Sequence, residues 1–188
     1  MTVDLRLVRP GLEHLDSFTA ALEAGWSPDT TNPKAGARIL TELDDDADAF
    51  LAGLEDRDPQ GRTITLPDGS VVPRLPQVTR WMWDGQFAGT ISVRWQPGTT
   101  DLPPTCLGHV GYSVVPWKRR RGYATRALAL MLPIAAEQGL PFIAITTDAD
   151  NEPSQRVVLA NGGRLSRTFD KPPEFGSGAM HEYVIDLG

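Results

Sequence analysis

Apolar residues recur along the chain with two periods, and the switches between them mark out short strands and amphipathic helices. Residues 3–9, VDLRLVR, alternate as a strand that Pro10 closes. Leu12, Leu15, Phe18 and Leu22 then fall at helical spacing toward Trp26, with Gly25 and Pro28 marking the end. Residues 27–43 give mixed signals, whereas 44–56 read as an acid-led helix with Phe50, Leu51 and Leu54 turned inward. The proline- and glycine-rich stretch 57–76 is an excursion with room for a short hairpin around Pro67-Asp68-Gly69. Alternation resumes in 77–84 and 86–95, joined by Asp84-Gly85, a good hairpin signal.

After a proline-rich connection at 97–104, Val110, Tyr112 and Val114 alternate as a half-buried strand that Pro116 ends. A helical run follows with apolar residues at 124, 127, 128, 131 and 135. Pro133 is expected to kink it or shift its boundary, and Gly139 and Pro141 to end it. The run 142–148, FIAITTD, reads as a buried strand of the parallel type. A helix from Asn151–Pro153 stops at Asn161-Gly162-Gly163, and strands at 164–169 and 180–187 complete the chain. The reading is a mixed α/β fold with hairpins first and a βαβ unit in its second half.

Composition narrows the chemistry. The 188 residues suit one domain over 1–188, and neither a membrane-length apolar run nor a signal-peptide pattern is present, so the expectation is a cytoplasmic protein without a membrane partner. One cysteine, Cys106, and three histidines without ligand spacing point to no metal. A net charge of −6 argues against a nucleic-acid partner. Yet Lys118, Arg119, Arg120, Arg121 and Arg126 concentrate five of the eighteen basic residues in one place. One positive site on a negative chain suggests an anionic cofactor and a neutral or cationic substrate.

That site is HVGYSVVPWKRRRGYAT, 109–125. A helix start leaves its first N–H groups unpaired and carries partial positive charge, and Gly122 and Ala124 leave the backbone open to an anion. Read alone, the stretch is equally a solvated basic turn before an ordinary helix. GxxxxGK[ST] is absent, and no GxGxxG follows a strand, which points away from nucleotide hydrolysis and dinucleotide redox chemistry.

The order Arg119-x-x-Gly122-x-Ala124, between a strand ending Val-x-Pro and an Ala/Leu-rich helix, resembles the acetyl-CoA loop of the GNAT superfamily of N-acetyltransferases. The run FIAITTDADNEPSQRVVLANGGRL resembles the superfamily's next strand, asparagine-containing loop and helix. Gly108–Val114 and Asn151–Gly163 are further similar to a bacterial subgroup with Gly-His-[Ile/Val]-Gly-Tyr-Ser-Val and Asn-x-x-Ser…Asn-Gly-Gly. The resemblance covers about 85–187 and is most specific over 108–165, with 27–76 as the variable region that shapes the acceptor site.

The resemblance implies a GNAT-like fold of class α/β (mixed α+β), with a central mixed, mostly antiparallel sheet of six to seven strands and helices on both faces. It implies acetyl-CoA as cofactor and a small-molecule or peptide amine as acceptor, in a monomer or homodimer. Val114 and Val115 would pair with the pantetheine arm, and Arg119, Arg120, Arg121, Gly122, Tyr123, Ala124 and Thr125 would hold the pyrophosphate. Asn151 and Ser154 would contact the pantetheine arm, although Asn and Ser also cap helices and form turns without any ligand. Where many relatives carry a proton-donating tyrosine, seven residues after the asparagine, this chain has Val158. Ser154, Tyr112 and His109 are the candidate replacements; a non-catalytic acyl-CoA-binding domain is the alternative to an enzyme.

Overall fold

A computed structural model describes residues 4–29, 32, 34–66, 69–172 and 176–188. Alternation in the strongest strand pair gives a sheet with two buried faces. β5 (Gln77–Trp83) and β6 (Phe87–Arg94) form an antiparallel ladder, flanked by β1 (Arg6–Val8) on one side and β7 (Val110–Val114) on the other. β2 (Glu55–Asp56) pairs with the start of β5, and β3 (Thr63–Thr65) pairs with β4 (Val71–Pro73) as a separate hairpin. Of the turn between them, Pro67 and Asp68 lie outside the described residues.

Successive side chains of a strand point to opposite faces, so β5 and β6 supply two cores. Val78, Met82, Ile91 and Val93 pack with Leu128 and Met131 of α3 (Tyr123–Ala136), and with Ile143 and Ile145 of β8 (Phe142–Asp148). Trp81 and Phe87 turn the other way, toward Phe18 and Trp26, at α1 (Leu12–Glu23) and its end, and Ile39 of α2 (Ala35–Leu54). Phe18 stacks on Trp81 at 4.5 Å between ring centroids. Burying one side chain such as Leu128 or Met131 contributes about 1.5–3 kcal/mol.

Within the region of mixed signals, residues 35–43 are helical. α2 starts at Ala35 and breaks at Asp46, whose extended backbone (φ −160°, ψ 91°) separates two helical halves. The Asp46 carboxylate then accepts from Ala49 N–H at 2.9 Å, so the acid-led helix expected from 44 is the second half, capped by its own aspartate. Pro133 falls in the last turn of α3, which continues to Ala136.

The second half of the chain corrects one expectation. β8 runs along β10 (Ala179–Asp186) in an antiparallel ladder, and β9 (Arg164–Asp170) pairs with β10's other edge. Every ladder among the described residues is antiparallel. The crossover through α3 brings β8 beside β7, but the parallel pairing expected of 142–148 reduces to one backbone bond, His109 N–H to the Ala144 carbonyl at 2.8 Å. Seven strands thus lie in the order β1-β5-β6-β7 and β8-β10-β9, with a gap between β7 and β8.

Candidate functional site

At the closed end of the gap, His109 accepts from Ala144 N–H through Nδ1 at 3.0 Å, so strand and side chain together pin β7 to β8. The imidazole is 2% exposed; Nε2 is buried without a hydrogen-bond partner, and the Thr100 carbonyl faces the ring without forming a well-made bond. Burial pushes its pKa below the ordinary imidazole value, more than the nearby backbone groups raise it. The structure therefore places His109, a candidate proton carrier, inside the strand junction.

Farther along β7 a side-chain hydrogen bond spans the gap. Tyr112 donates its hydroxyl to the Ser154 carbonyl at 3.3 Å, joining β7 to α4 (Glu152–Ala160). No backbone ladder bond links Val110–Val114 to β8 among the described residues, so this edge of β7 keeps free polar groups. Burial raises the Tyr112 phenol above its ordinary pKa, only partly opposed by the Ser154 contact, which keeps the hydroxyl protonated. Two of the three candidates, Tyr112 and Ser154, thus meet at the gap, and His109 sits below it.

Asn151 caps α4, its side chain accepting from Ser154 N–H at 3.2 Å. The capping alternative is realised, leaving the amide nitrogen of Asn151 as the group available to a ligand. Val158 is fully buried in the core below α4, so the usual tyrosine position does not open on the gap. Asn161, read from sequence as a helix stop, also donates to the Thr125 carbonyl at 3.2 Å and so ties the end of α4 to the start of α3.

The basic turn is built from an unusual backbone. After the 3-10 turn Pro116–Lys118, Arg120 (φ 64°) and Gly122 (φ 77°) both take the left-handed conformation, which glycine adopts freely and arginine rarely. Gly122 is the N-cap of α3 and no side chain caps the helix, so the N–H groups of Tyr123, Ala124 and Thr125 stand open at its start. Arg119, Arg120 and Arg121 are exposed around them, Arg119 donating Nε to the Val114 carbonyl at 3.1 Å. Val115 differs from its expected role: its N–H donates to the Ala88 carbonyl at 3.0 Å and its side chain is fully buried.

Two members of the basic stretch have other duties. Lys118 is 7% exposed and pairs with Asp84 at 2.7 Å, while Tyr123 donates its hydroxyl to the same carboxylate at 2.6 Å. Burial pushes the Asp84 carboxyl up, but hydrogen bonds from Lys118, Tyr123 and the Gln86 backbone more than reverse this, so its pKa lies below the ordinary value. The Tyr123 phenol is raised, first by its bond to Asp84 and then by burial. Lys118 is thus not part of the free positive charge; it and Tyr123 clamp the turn to the β5–β6 hairpin. Asp84 gave only a turn signal in the sequence, and its partners 34 and 39 residues away have no local signature.

On the other side of β7 lies a cleft of about 840 Å³ between α2 and the polar face of the sheet. Its walls include Thr79, Thr90, Ser92, Arg94, Gly111 and Tyr112. Gly111 and Tyr112 belong to the strand whose far edge faces the gap, so the cleft adjoins the place where the gap opens. Among the described residues no group of three or more His, Cys, Asp or Glu could hold a metal, and no helix is long and apolar enough to cross a membrane.

This geometry can be set beside known proteins. A search against curated protein sequences found no match. Mycobacterium smegmatis RimJ in complex with CoA-disulfide superposes with a TM-score of 0.65 at 18% identity, over 97% of this chain and 81% of that one. The microcin C7 self-immunity acetyltransferase MccE, in complex with acetyl-CoA and AMP, gives 0.61 at 11% identity over 98% and 93%. RimL, a ribosomal L7/L12 alpha-N-protein acetyltransferase in complex with coenzyme A, gives 0.61 at 13% over 98% and 95%. At these identities the likeness shows the fold. The family profile described as acetyltransferase (GNAT) domain matches residues 5–164, and the chain belongs to the GNAT family of N-acetyltransferases.

Proposed function

We propose that this chain transfers an acetyl group from acetyl-CoA to a primary amine of a small molecule or peptide, with residues 1–188 acting as one domain. The observation that carries the reading is the pairing of two unfilled backbone surfaces: the β7 edge facing the gap and the open start of α3. An extended amide-bearing arm suits the first, and a pyrophosphate suits the second. Similar structures bound to acetyl-CoA or CoA support that choice of ligand.

When bound, acetyl-CoA supplies an activated acyl carbonyl and a thiolate leaving group. Backbone groups near Val114 would hold its arm, and the N–H groups of Tyr123–Thr125, with Arg119–Arg121 around them, its phosphates. The Asn151 amide nitrogen and the half-buried Ser154 border the same opening. The acceptor lies in the cleft and presents a neutral nitrogen past Tyr112. The nitrogen gains the acyl group and loses one proton, and one thiol is released. Orientation supplies most of the rate, because no buried acid occupies the usual helix position.

A screen of primary amines that follows free-thiol release in the presence of acetyl-CoA tests this reading. Amine-dependent release, with an equal amount of acetylated product, is expected. Cofactor binding without turnover of any amine would favour a non-catalytic acyl-CoA-binding domain instead.

A further inference from the structure

The sheet face that walls the cleft is made of polar side chains: Gln77 and Thr79 of β5, and Thr90, Ser92 and Arg94 of β6. Within it, Arg94 has no counter-charge among the described residues. No carboxylate among the described residues lies within ion-pair distance of its guanidinium, which donates a long 3.4 Å hydrogen bond to Ser92 Oγ. Its Nε is buried with no acceptor, and so is the indole N–H of Trp81 on the same face of the sheet and the same cleft wall. Gly111, directly across from Ser92, makes room: a Cβ there would stand 3.1 Å from an Arg94 terminal nitrogen.

Arg74, also on the wall, has a backbone carbonyl as a partner, that of Gly53, and meets no carboxylate among the described residues. By contrast, the cleft's Arg38 is already paired with Glu42. A buried charge left without a partner is costly, and an anion arriving in the cleft would bring the Arg94 guanidinium the counter-charge it lacks. The basic cluster of Arg9, Arg57 and Arg80 does not share this property, since all three converge on Glu55.

We infer that the amine acceptor carries an anionic group, a carboxylate or a phosphate, that Arg94 holds against the β6–β7 wall with Arg74 at its flank. This rests on the acetyltransferase reading above and deepens it. It also revises the expectation from net charge alone, which favoured a neutral or cationic substrate. Held there, the anion anchors the acceptor beside Gly111, on the strand whose other edge faces the gap, and leaves the amine end free to extend along β7.

Two measurements on the full chain separate this inference from the parent reading. In the first, acetyl transfer is compared for matched acceptors: dipeptides with free C-terminal carboxylates, the same dipeptides as amides, and O-phosphoethanolamine against ethanolamine. Anionic members should be preferred at least about tenfold in kcat/KM, and Arg94→Gln should remove that preference mainly through KM, with Arg94→Lys restoring part of it. Preference for the carboxylate or for the phosphate pair identifies which anion is used. Equal use of charged and uncharged acceptors, or a preference that survives Arg94→Gln, would overturn the inference while leaving acetyl transfer intact.

The second measurement needs no turnover. With CoA saturating the phosphate site, N-acetyl-dipeptide acids, their amides and inorganic phosphate are titrated by NMR into wild type and Arg94→Gln. Saturable binding of an anionic probe, weakened about tenfold or more in the variant, is expected. No difference between anionic and uncharged probes in the wild-type protein contradicts the inference.

Discussion

Removing the carboxylate of Asp84 would leave the Lys118 ammonium, 7% exposed, without its counter-charge and the Tyr123 hydroxyl without its acceptor. Breaking one partner of such a pair costs about 3 kcal/mol, so Asp84→Asn should lower the melting temperature and weaken CoA binding through the displaced turn. Because the Asp84 pKa is lowered on folding, its contribution is fully present above about pH 4 and is lost as the pH falls through the lower folded value. Thermal melts across that range should show a smaller acid-dependent loss for Asp84→Asn than for wild type. His109 carries the same sign: its folded pKa is lowered by burial, so its contribution is complete above about pH 6.5 and declines below it. A neutral, buried His109 holding Ala144 N–H fits a structural role, and Ser154→Ala, Tyr112→Phe and His109→Gln should each retain measurable turnover. A loss of about 10²- to 10⁴-fold in one of them, with CoA affinity unchanged, would instead identify a dedicated proton carrier. At this scale the sequence motifs drew attention to the turn Arg119–Thr125, whose uncapped helix start is present in the fold. They could not mark Asp84, Asn161 or Arg94, whose roles depend on partners distant in sequence or on the absence of one.

The anion site proposed at the start of α3 depends on the left-handed conformation and open approach of Gly122. Gly122→Glu adds backbone strain, bulk and negative charge beside the N–H groups, and should weaken CoA binding by about a hundredfold in a folded protein. Calorimetry showing unchanged affinity would remove this turn from the account. Binding of CoA should also weaken as salt rises, more than binding of an uncharged pantetheine fragment, with Arg119, Arg120 and Arg121 rather than Lys118 setting the slope. Elements of strong periodicity, such as β5, β6 and α3, were legible from pattern alone. The first half of α2 was not, because its break at Asp46 interrupts the period. FIAITTD read as a parallel strand because both faces are apolar, but its partner is β10, 38 residues farther along at the Ile145–Tyr183 pairing, 40 at Ala144–Val184 and 42 at Ile143–Ile185.

For the whole molecule, the order of strands matters more than any one of them. The family match ends at residue 164, yet β10, beyond it, lies between β8 and β9 and supplies Tyr183 and Ile185 to the main core. The fold class was legible because two motifs, the basic glycine turn and the Asn151–Gly163 segment, occur at the spacing of one crossover unit. For the cleft proposed to take the acceptor, the resemblance pointed to 27–76, but the sheet face that completes its walls meets α2 and Val72–Leu75 only in three dimensions. The account holds that acetyl-CoA occupies the gap between β7 and β8 with its phosphates at the start of α3. Backbone amide hydrogen exchange, followed with and without saturating acetyl-CoA, tests this most directly. Slower exchange concentrated in Tyr112–Val114 and Gly122–Thr125 is the predicted result; unchanged exchange in both segments under conditions where acetyl-CoA binds would contradict it.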